Sequence, residues 1–185
     1  MPGTRVVSAA AGLVPVLETA RLRLRGHRAD DFEAFAAIWA DADVVRYIGG
    51  KPSTPQESWM RLLRYPGMWA LLGYGFWAIE DKASGRPIGE IGYADFKRAI
   101  EPPLEGMPEM GWVLASDVHG KGYAREALDA VLAWGQQHFG PHRAACIIEP
   151  DNAASVRLAT GVGFRFVREV AYLDVQIHVF VRDAV

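Results

Sequence analysis

Residues 109–128, EMGWVLASDVHGKGYAREAL, join a strand-like run to a helix-like run through a loop with two glycines. This order places unpaired backbone N–H groups at the positive end of a helix dipole, a geometry that attracts phosphate. Gly120 and Gly122 lack the Cβ atoms that would keep an anion at a distance. The segment therefore predicts a phosphate-binding loop, and a plain tight turn is the alternative.

Two common phosphate-binding patterns do not fit this loop. The P-loop of nucleotide hydrolases needs a Lys-Ser or Lys-Thr pair after its last glycine, but Gly122 is followed by Tyr123. The dinucleotide fingerprint needs a third glycine where Arg125 stands. The sequence thus disfavours a nucleotide hydrolase and a dinucleotide-dependent oxidoreductase.

Composition restricts the other functional classes. The chain has 185 residues, half of them apolar, which predicts a single domain, assigned to residues 17–185. Ser8, Gly12 and Pro15 interrupt the apolar run before it, so residues 1–16 are expected to be a flexible extension. The formal net charge is -2 without long runs of one sign, so neither nucleic acid nor a membrane surface is an expected partner. The single cysteine, Cys146, excludes an internal disulfide, and no convincing signal peptide is present, so we expect a cytoplasmic protein.

Strand-like and helix-like patterns alternate along the rest of the chain. Leu22 and Leu24 alternate with arginines, which predicts a first strand with one solvent-exposed face. Thr54, Pro55 and Glu57 form a capping-box pattern at the start of a helix. Three antiparallel strands, the loop and its helix, another strand, a helix from Asn152 to Gly163 and a final strand pair follow. The fold class is therefore mixed α/β.

The opening segment and three others together resemble one known family. These are LETARLRLR at residues 17–25, PIGEIGY at 87–93 and IIEPDNAASVRLATGVGF at 147–164. The combination resembles the GCN5-related N-acetyltransferase (GNAT) superfamily, and within it the group that acetylates ribosomal-protein N-termini and related amines. The resemblance covers about Leu17 to Arg182. It implies a mostly antiparallel central sheet flanked by helices on both faces, and acetyl-coenzyme A (acetyl-CoA) as the acetyl donor.

The resemblance also implies which residues bind acetyl-CoA. The backbone of Trp112, Val113 and Leu114 would bind the pantetheine arm, which Asn152 and Ser155 would also reach. The residues that would surround the pyrophosphate are His119, Gly120, Lys121, Gly122, Tyr123 and Ala124. Asp117 departs from the family pattern, which often has a basic or amide residue there. Thr160 and Gly161 stand where the related group usually has Glu-Lys.

Acetyl transfer to an amine needs a base for the ammonium proton, an oxyanion donor and an acid for the thiolate. Glu109 is the preferred base, ahead of Glu90 and Glu149, although each can simply face solvent at its strand. A backbone N–H near Trp112 can stabilise the oxyanion. Ser155 matches the serine of the related group that would protonate the thiolate, and a helix-capping role is its alternative.

The remaining candidate residues have weaker signals. Helix-breaking Gly140-Pro141 separates His138 from His142, so no metal is expected. Tryptophans in a loop after Met60 would support a homodimer if exposed. Further side chains that can line an acceptor pocket are His27, Trp39, Tyr47, Trp69, Tyr74, Trp77 and His178.

The sequence as a whole predicts an acetyl-CoA-dependent N-acetyltransferase. Its acceptor would be a primary amine, either a protein N-terminus or a small molecule. A non-catalytic acyl-CoA-binding sensor module is the alternative, because it would share every feature of the phosphate loop.

Overall fold

The computed structural model describes residues 12–104 and 106–184, which form one open sheet with helices on both faces. The strands are β1 (Leu17–Glu18), β2 (Leu22–Arg25), β3 (Phe76–Asp81), β4 (Pro87–Ala94), β5 (Glu109–Leu114), β6 (Ala144–Ile148), β7 (Arg165–Tyr172) and β8 (Val175–Arg182). The α-helices are α1 (Phe32–Ala40), α2 (Ala42–Val45), α3 (Pro55–Leu72), α4 (Tyr123–Phe139) and α5 (Ala153–Gly161). The predicted mixed α/β class is confirmed.

The eight strands lie in the order β1-β2-β3-β4-β5-β6-β8-β7. Neighbouring strands are antiparallel except β5 and β6, which are parallel and share the single register pair Glu109 and Ala145. The three consecutive antiparallel strands predicted before the loop are β3, β4 and β5. Because β5 and β6 pair at one end only, the two halves of the sheet separate beyond that point.

Alternation along β3 assigns the helices to the two faces of the sheet. Trp77 and Ile79 join the large core cluster that contains the apolar face of α4. Ala78, between them in sequence, packs instead with Phe35 of α1 and Leu62 of α3. The loop and its helix therefore lie on one face of the sheet, and α1 and α3 cover the other face.

The predicted capping box of α3 is confirmed. The Thr54 hydroxyl accepts a hydrogen bond from the Glu57 N–H, and the Glu57 carboxylate accepts one from the Thr54 N–H. The prediction of exposed tryptophans in a loop after Met60 is wrong, because the helix continues to Leu72 and its turns bury Trp69 to 2% exposure. These tryptophans therefore give no support to a homodimer.

Local differences concern element ends and one strand face. Helix α5 ends at Gly161, two residues before the predicted end. The arginine face of β2 was predicted to be exposed throughout, but Arg25 is buried and pairs with Asp31 and Glu80. Burial is possible there because two carboxylates balance one guanidinium.

The predicted N-terminal extension lies partly outside the described residues, which begin at residue 12. In its described part, Val14 packs against the main core, and the Pro15 carbonyl accepts a hydrogen bond of 2.8 Å from the Trp77 indole. The boundary at residue 16 stays a prediction. Within the described ranges, no helix combines the length and apolar character needed to cross a membrane.

Candidate active site

A cavity of about 490 Å³ opens where β5 and β6 separate. One wall is the β5 segment from Glu109 to Val113, and the opposite wall is the β6 segment from Cys146 to Ile148. Side chains of α1 and α3 close one side, and the start of α5 lies at the other. The cavity therefore connects both faces of the sheet through the gap.

The backbone of β5 faces this gap with alternate residues. The Ala115 N–H donates to the Ile88 carbonyl, on the β4 side. Since successive residues of a strand point their N–H groups to opposite edges, Val113 also bonds toward β4, whereas Trp112 and Leu114 face the gap. The sequence predicted that the backbone of all three residues would contact the pantetheine arm. Only Trp112 and Leu114 direct backbone groups into the gap, because the backbone of Val113 is hydrogen-bonded to β4.

The glycine loop keeps its amides free. After a 3-10 turn at Ser116–Val118, the first backbone hydrogen bond of α4 runs from the Glu126 N–H to the Gly122 carbonyl. The N–H groups of residues 120–125 have no hydrogen-bond partner in the part of the chain that the structure describes. Gly120 and Gly122 have φ angles of +73° and +80°, which favour glycine. This loop could accept a diphosphate without breaking an internal bond.

Arg21 brings a guanidinium group to this loop, in an ion pair with Glu126, and the sequence analysis missed it. Its Nη1 donates to the Lys121 carbonyl over 2.9 Å, and its Nε donates to Glu126 over 2.7 Å. The guanidinium carbon lies 4.3 Å from the centre of the Tyr123 ring. Only the arginine alternation of the first strand hinted at this residue, and that pattern was interpreted as a solvent-exposed face. The pairing across the fold connects β2 to the start of α4.

The start of α5 brings Asn152 and Ser155 to the gap. The Asn152 side chain accepts a hydrogen bond of 3.1 Å from the Ser155 N–H, so it caps the helix. The Trp112 indole donates to the Ser155 hydroxyl over 3.3 Å. Both Asn152 and Ser155 line the cavity. The Ser155 hydroxyl therefore stays at the gap instead of being used as the cap.

Glu109 lines the cavity but is already paired. Its two carboxylate oxygens accept three hydrogen bonds of 2.7 to 3.0 Å from the Arg98 Nε and Nη2. Burial alone would lower the pKa of Arg98, but its hydrogen bonds with Glu109 leave that pKa above its usual value. A carboxylate held on both oxygens by a guanidinium is a poor acceptor for a substrate proton. This geometry disfavours Glu109, the first choice from the sequence.

Glu90 lines the same cavity with a free oxygen. The Tyr65 hydroxyl donates to Glu90 Oε1, whereas Oε2 has no hydrogen-bond partner among the described residues. Burial, followed by the charge of Glu90, holds the pKa of Tyr65 well above its usual value, so Tyr65 remains a proton donor. The His27 ring stacks on Tyr65, and its Nε2 lies 3.7 Å from Glu90 Oε2. Tyr65 is a second residue that the sequence analysis missed, since no local pattern connects it with Glu90, 25 residues away in the chain.

The other predicted pocket residues divide into two groups. Trp39, Tyr47 and Glu149 line the cavity. The others do not line it. Trp69 and Trp77 lie in the core, and Tyr74 packs against the core. His178 pairs with Glu169. The described residues include no group of three or more histidine, cysteine or acidic side chains that could hold a metal ion.

Comparisons with known proteins agree with this architecture. Residues 21–165 match the family described as an acetyltransferase (GNAT) domain. The chain is 31% identical to the uncharacterized protein YkkB of Bacillus subtilis (strain 168), over 91% of this chain and 95% of YkkB. A solved structure from Bordetella pertussis, assigned to the GNAT acetyltransferases, is 32% identical with a TM-score of 0.81, over 91% of this chain and 99% of that one. RimL, a ribosomal L7/L12 N-terminal acetyltransferase solved with coenzyme A, shares the fold at 14% identity with a TM-score of 0.75, over 92% of this chain and 98% of RimL.

Proposed function

Because the chain belongs to the GNAT acetyltransferase family and is thus an acetyltransferase, we propose that it moves an acetyl group from acetyl-CoA to a primary amine. The amine attacks the thioester directly, and it belongs to a protein N-terminus or to a small molecule. The observation that carries the proposal is the row of free amides at residues 120–125 beside the open edge of β5. We place the reaction in the cytoplasm.

The residues at the loop fit the diphosphate of coenzyme A. Six converging amides at a helix N-terminus supply hydrogen-bond donors and a favourable dipole. Arg21 supplies guanidinium donors at the loop although Glu126 balances its charge, whereas Asp117, where a basic residue is absent, pairs with Arg86. The Leu114 N–H and the Trp112 carbonyl then bind the pantetheine arm along the strand edge, and the Trp112 N–H remains for the thioester carbonyl. This arrangement directs the thioester into the gap.

The residues of the gap have complementary roles in the transfer. A primary amine is mostly an ammonium ion at neutral pH, so Glu90 Oε2 accepts its proton, directly or through a water molecule. The Trp112 N–H stabilises the oxyanion that forms when the nitrogen attacks the carbonyl carbon. When the carbon–sulfur bond breaks, the Ser155 hydroxyl gives a proton to the departing thiolate, and it is restored by the second proton that the attacking nitrogen loses as it becomes an amide.

Thiol release tests the proposal. The purified protein is mixed with acetyl-CoA and a panel of amines and peptides, and free coenzyme A is measured with and without each acceptor. We expect acceptor-dependent release and an N-acetylated product by mass spectrometry. A protein that binds acetyl-CoA but acetylates no amine and does not speed thioester hydrolysis would instead be the sensor module.

A further inference from the structure

We infer that the acceptor carries a carboxylate close to its amine, and that Arg61 and Arg64 of α3 bind this carboxylate while Glu90 receives the amine. This inference rests on the proposed function and names the chemical class of its acceptor. The two arginines are three positions apart, so they lie on the same face of the helix, and both line the cavity.

The charges that line the cavity leave these arginines without a partner. Three guanidinium groups and three carboxylates line it. Arg98 and Glu109 neutralise each other. Arg61 and Arg64 form no ion pair with any carboxylate in the described part of the chain. Glu90 and Glu149 carry the remaining negative charge of the lining, so Arg61 and Arg64 form a local cationic site in the same cavity as the free oxygen of Glu90.

Arg61 is held in place as a preformed donor. Its guanidinium carbon lies 3.5 Å from the centre of the Trp39 ring, and its Nη1 donates to the Ser53 hydroxyl over 3.2 Å. Its side chain is partly buried, and this burial lowers the pKa of Arg61, although Tyr65 and Glu90 oppose the effect. A partly desolvated guanidinium without a counterion gains more from binding an anion than a fully hydrated one does.

Glu57, one turn before Arg61 on the same helix, is engaged in the capping box through Oε2 and forms no ion pair with Arg61 among the described residues. Glu57 accepts hydrogen bonds from both the backbone and the hydroxyl of Thr54 in the capping box. The planar fork of Arg61 can therefore bind a carboxylate of the acceptor through two parallel hydrogen bonds. Arg64 lies at 5.6 Å from the centre of the Phe96 ring, and adds a second positive charge at the cavity mouth.

Two acceptors supply this chemistry, a free amino acid through its α-carboxylate and a peptide through an acidic side chain near its N-terminus. Both place an anion a few bonds from a primary amine. The experiment therefore uses matched pairs of probes: L-amino acids with their amides, and peptides that begin Ser-Glu with peptides that begin Ser-Gln. The more active pair identifies the source of the carboxylate.

We expect the protein to prefer the anionic member of at least one pair, and Arg61→Gln to reduce that preference in kcat/KM by about tenfold or more. Dividing the preference of the variant by that of the unmodified protein for the same pair cancels the different amine pKa values of the two probes. Arg143→Gln is the matched control, because Arg143 is exposed and does not line the cavity. It should leave the preference as in the unmodified protein. Arg64→Gln should reduce the preference less, since Arg64 is more exposed.

Equal turnover of both members of every pair, or a preference that Arg61→Gln does not alter, would overturn the inference and leave the proposed function intact. If neither these probes nor any amine of the wider panel is acetylated, the proposed function fails first. In that case calorimetric titration of the same probes onto the protein with coenzyme A decides the inference. Anion-dependent binding that Arg61→Gln weakens would support it, and equal or absent binding would refute it.

Discussion

At the scale of single residues, Glu90 is the carboxylate best placed to accept the amine proton. We predict that Glu90→Gln lowers kcat/KM by about 100-fold, because the amide keeps the shape of the carboxylate but cannot take the proton. Acetyl-CoA affinity should change little, since the free amides begin α4 on one face of the sheet, whereas Glu90 contacts Tyr65 of α3 on the other face. Steady-state kinetics and calorimetry measure the two effects.

Glu109→Gln is the matched comparison for this prediction. The substitution leaves Arg98 without its counterion, so its main effect should be on stability. We expect a lower melting temperature and a smaller loss of kcat/KM than Glu90→Gln gives. If Glu109→Gln abolished turnover at unchanged stability while Glu90→Gln remained active, Glu109 would be the base.

Ser155 acts at the other end of the reaction. We predict that Ser155→Ala lowers kcat by about 100-fold with little change in acetyl-CoA affinity, because the departing thiolate loses its proton donor. Ser155→Thr keeps a hydroxyl and should retain much of the activity. Equal turnover of Ser155→Ala and the unmodified protein would remove this residue from the mechanism.

At the scale of elements, the glycine loop and α4 form one anion-binding unit. Gly122→Ala would place a Cβ atom 3.4 Å from an Arg21 nitrogen, at a φ of +80° that disfavours alanine. We predict about tenfold weaker acetyl-CoA binding, by calorimetry, because the loop amides and Arg21 must shift. The variant should also lose about 1 kcal/mol of stability from its backbone conformation.

Gly85→Ala separates these two effects. Gly85 has a similar φ of +69°, lies in the turn between β3 and β4, and has nothing within 4 Å of an added Cβ. It should lose comparable stability but keep its acetyl-CoA affinity. Equal weakening of binding by both substitutions would indicate a general effect of strain and contradict a phosphate role for the loop.

Elements were also the scale at which the sequence was most informative. The capping box at Thr54, the cap at Asn152 and the alternation of Leu22 and Leu24 in β2 are local signals, because each depends on residues a few positions apart. The gap between β5 and β6 has no such signal. It depends on a single register pair between strands that are 30 residues apart in the chain, so only the resemblance to a family could suggest it.

At the scale of the whole molecule, contacts between separate segments distinguish candidate residues that look equivalent in the sequence. Glu90 and Glu109 both lie on strands and look equivalent in the sequence. Arg98 pairs with Glu109, and Tyr65 binds Glu90, because the fold brings separate segments together. Arg21 likewise reaches the loop at Lys121 across the fold. Such contacts determine which candidate can react, and they follow from topology.

The buried Arg25 network tests how such long-range charge pairs support the fold. Arg25 binds Asp31 through two hydrogen bonds of 2.7 Å and Glu80 through another of 2.7 Å, connecting β2 to the start of α1 and to β3. Burial alone would raise the pKa of Asp31, but hydrogen bonds from Arg25 and the Arg28 amide leave it below its usual value. An aspartate in an unfolded chain has a pKa of about 3.9, and above that pH the ionised Asp31 stabilises the fold. This stabilisation is lost as the pH falls through the lower pKa of Asp31 in the folded protein.

We predict that Asp31→Asn costs about 3 kcal/mol of unfolding free energy near pH 7, because Arg25 keeps only one of its two carboxylate partners. Urea denaturation should show this difference shrinking below about pH 4, where protonation of Asp31 makes the unmodified protein resemble the variant. Asp30→Asn is the matched control, since Asp30 is the exposed neighbour and should cost less than about 0.5 kcal/mol. A cost for Asp31→Asn that stayed constant down to acidic pH would show that the lost stability comes from packing instead of from the charge pair.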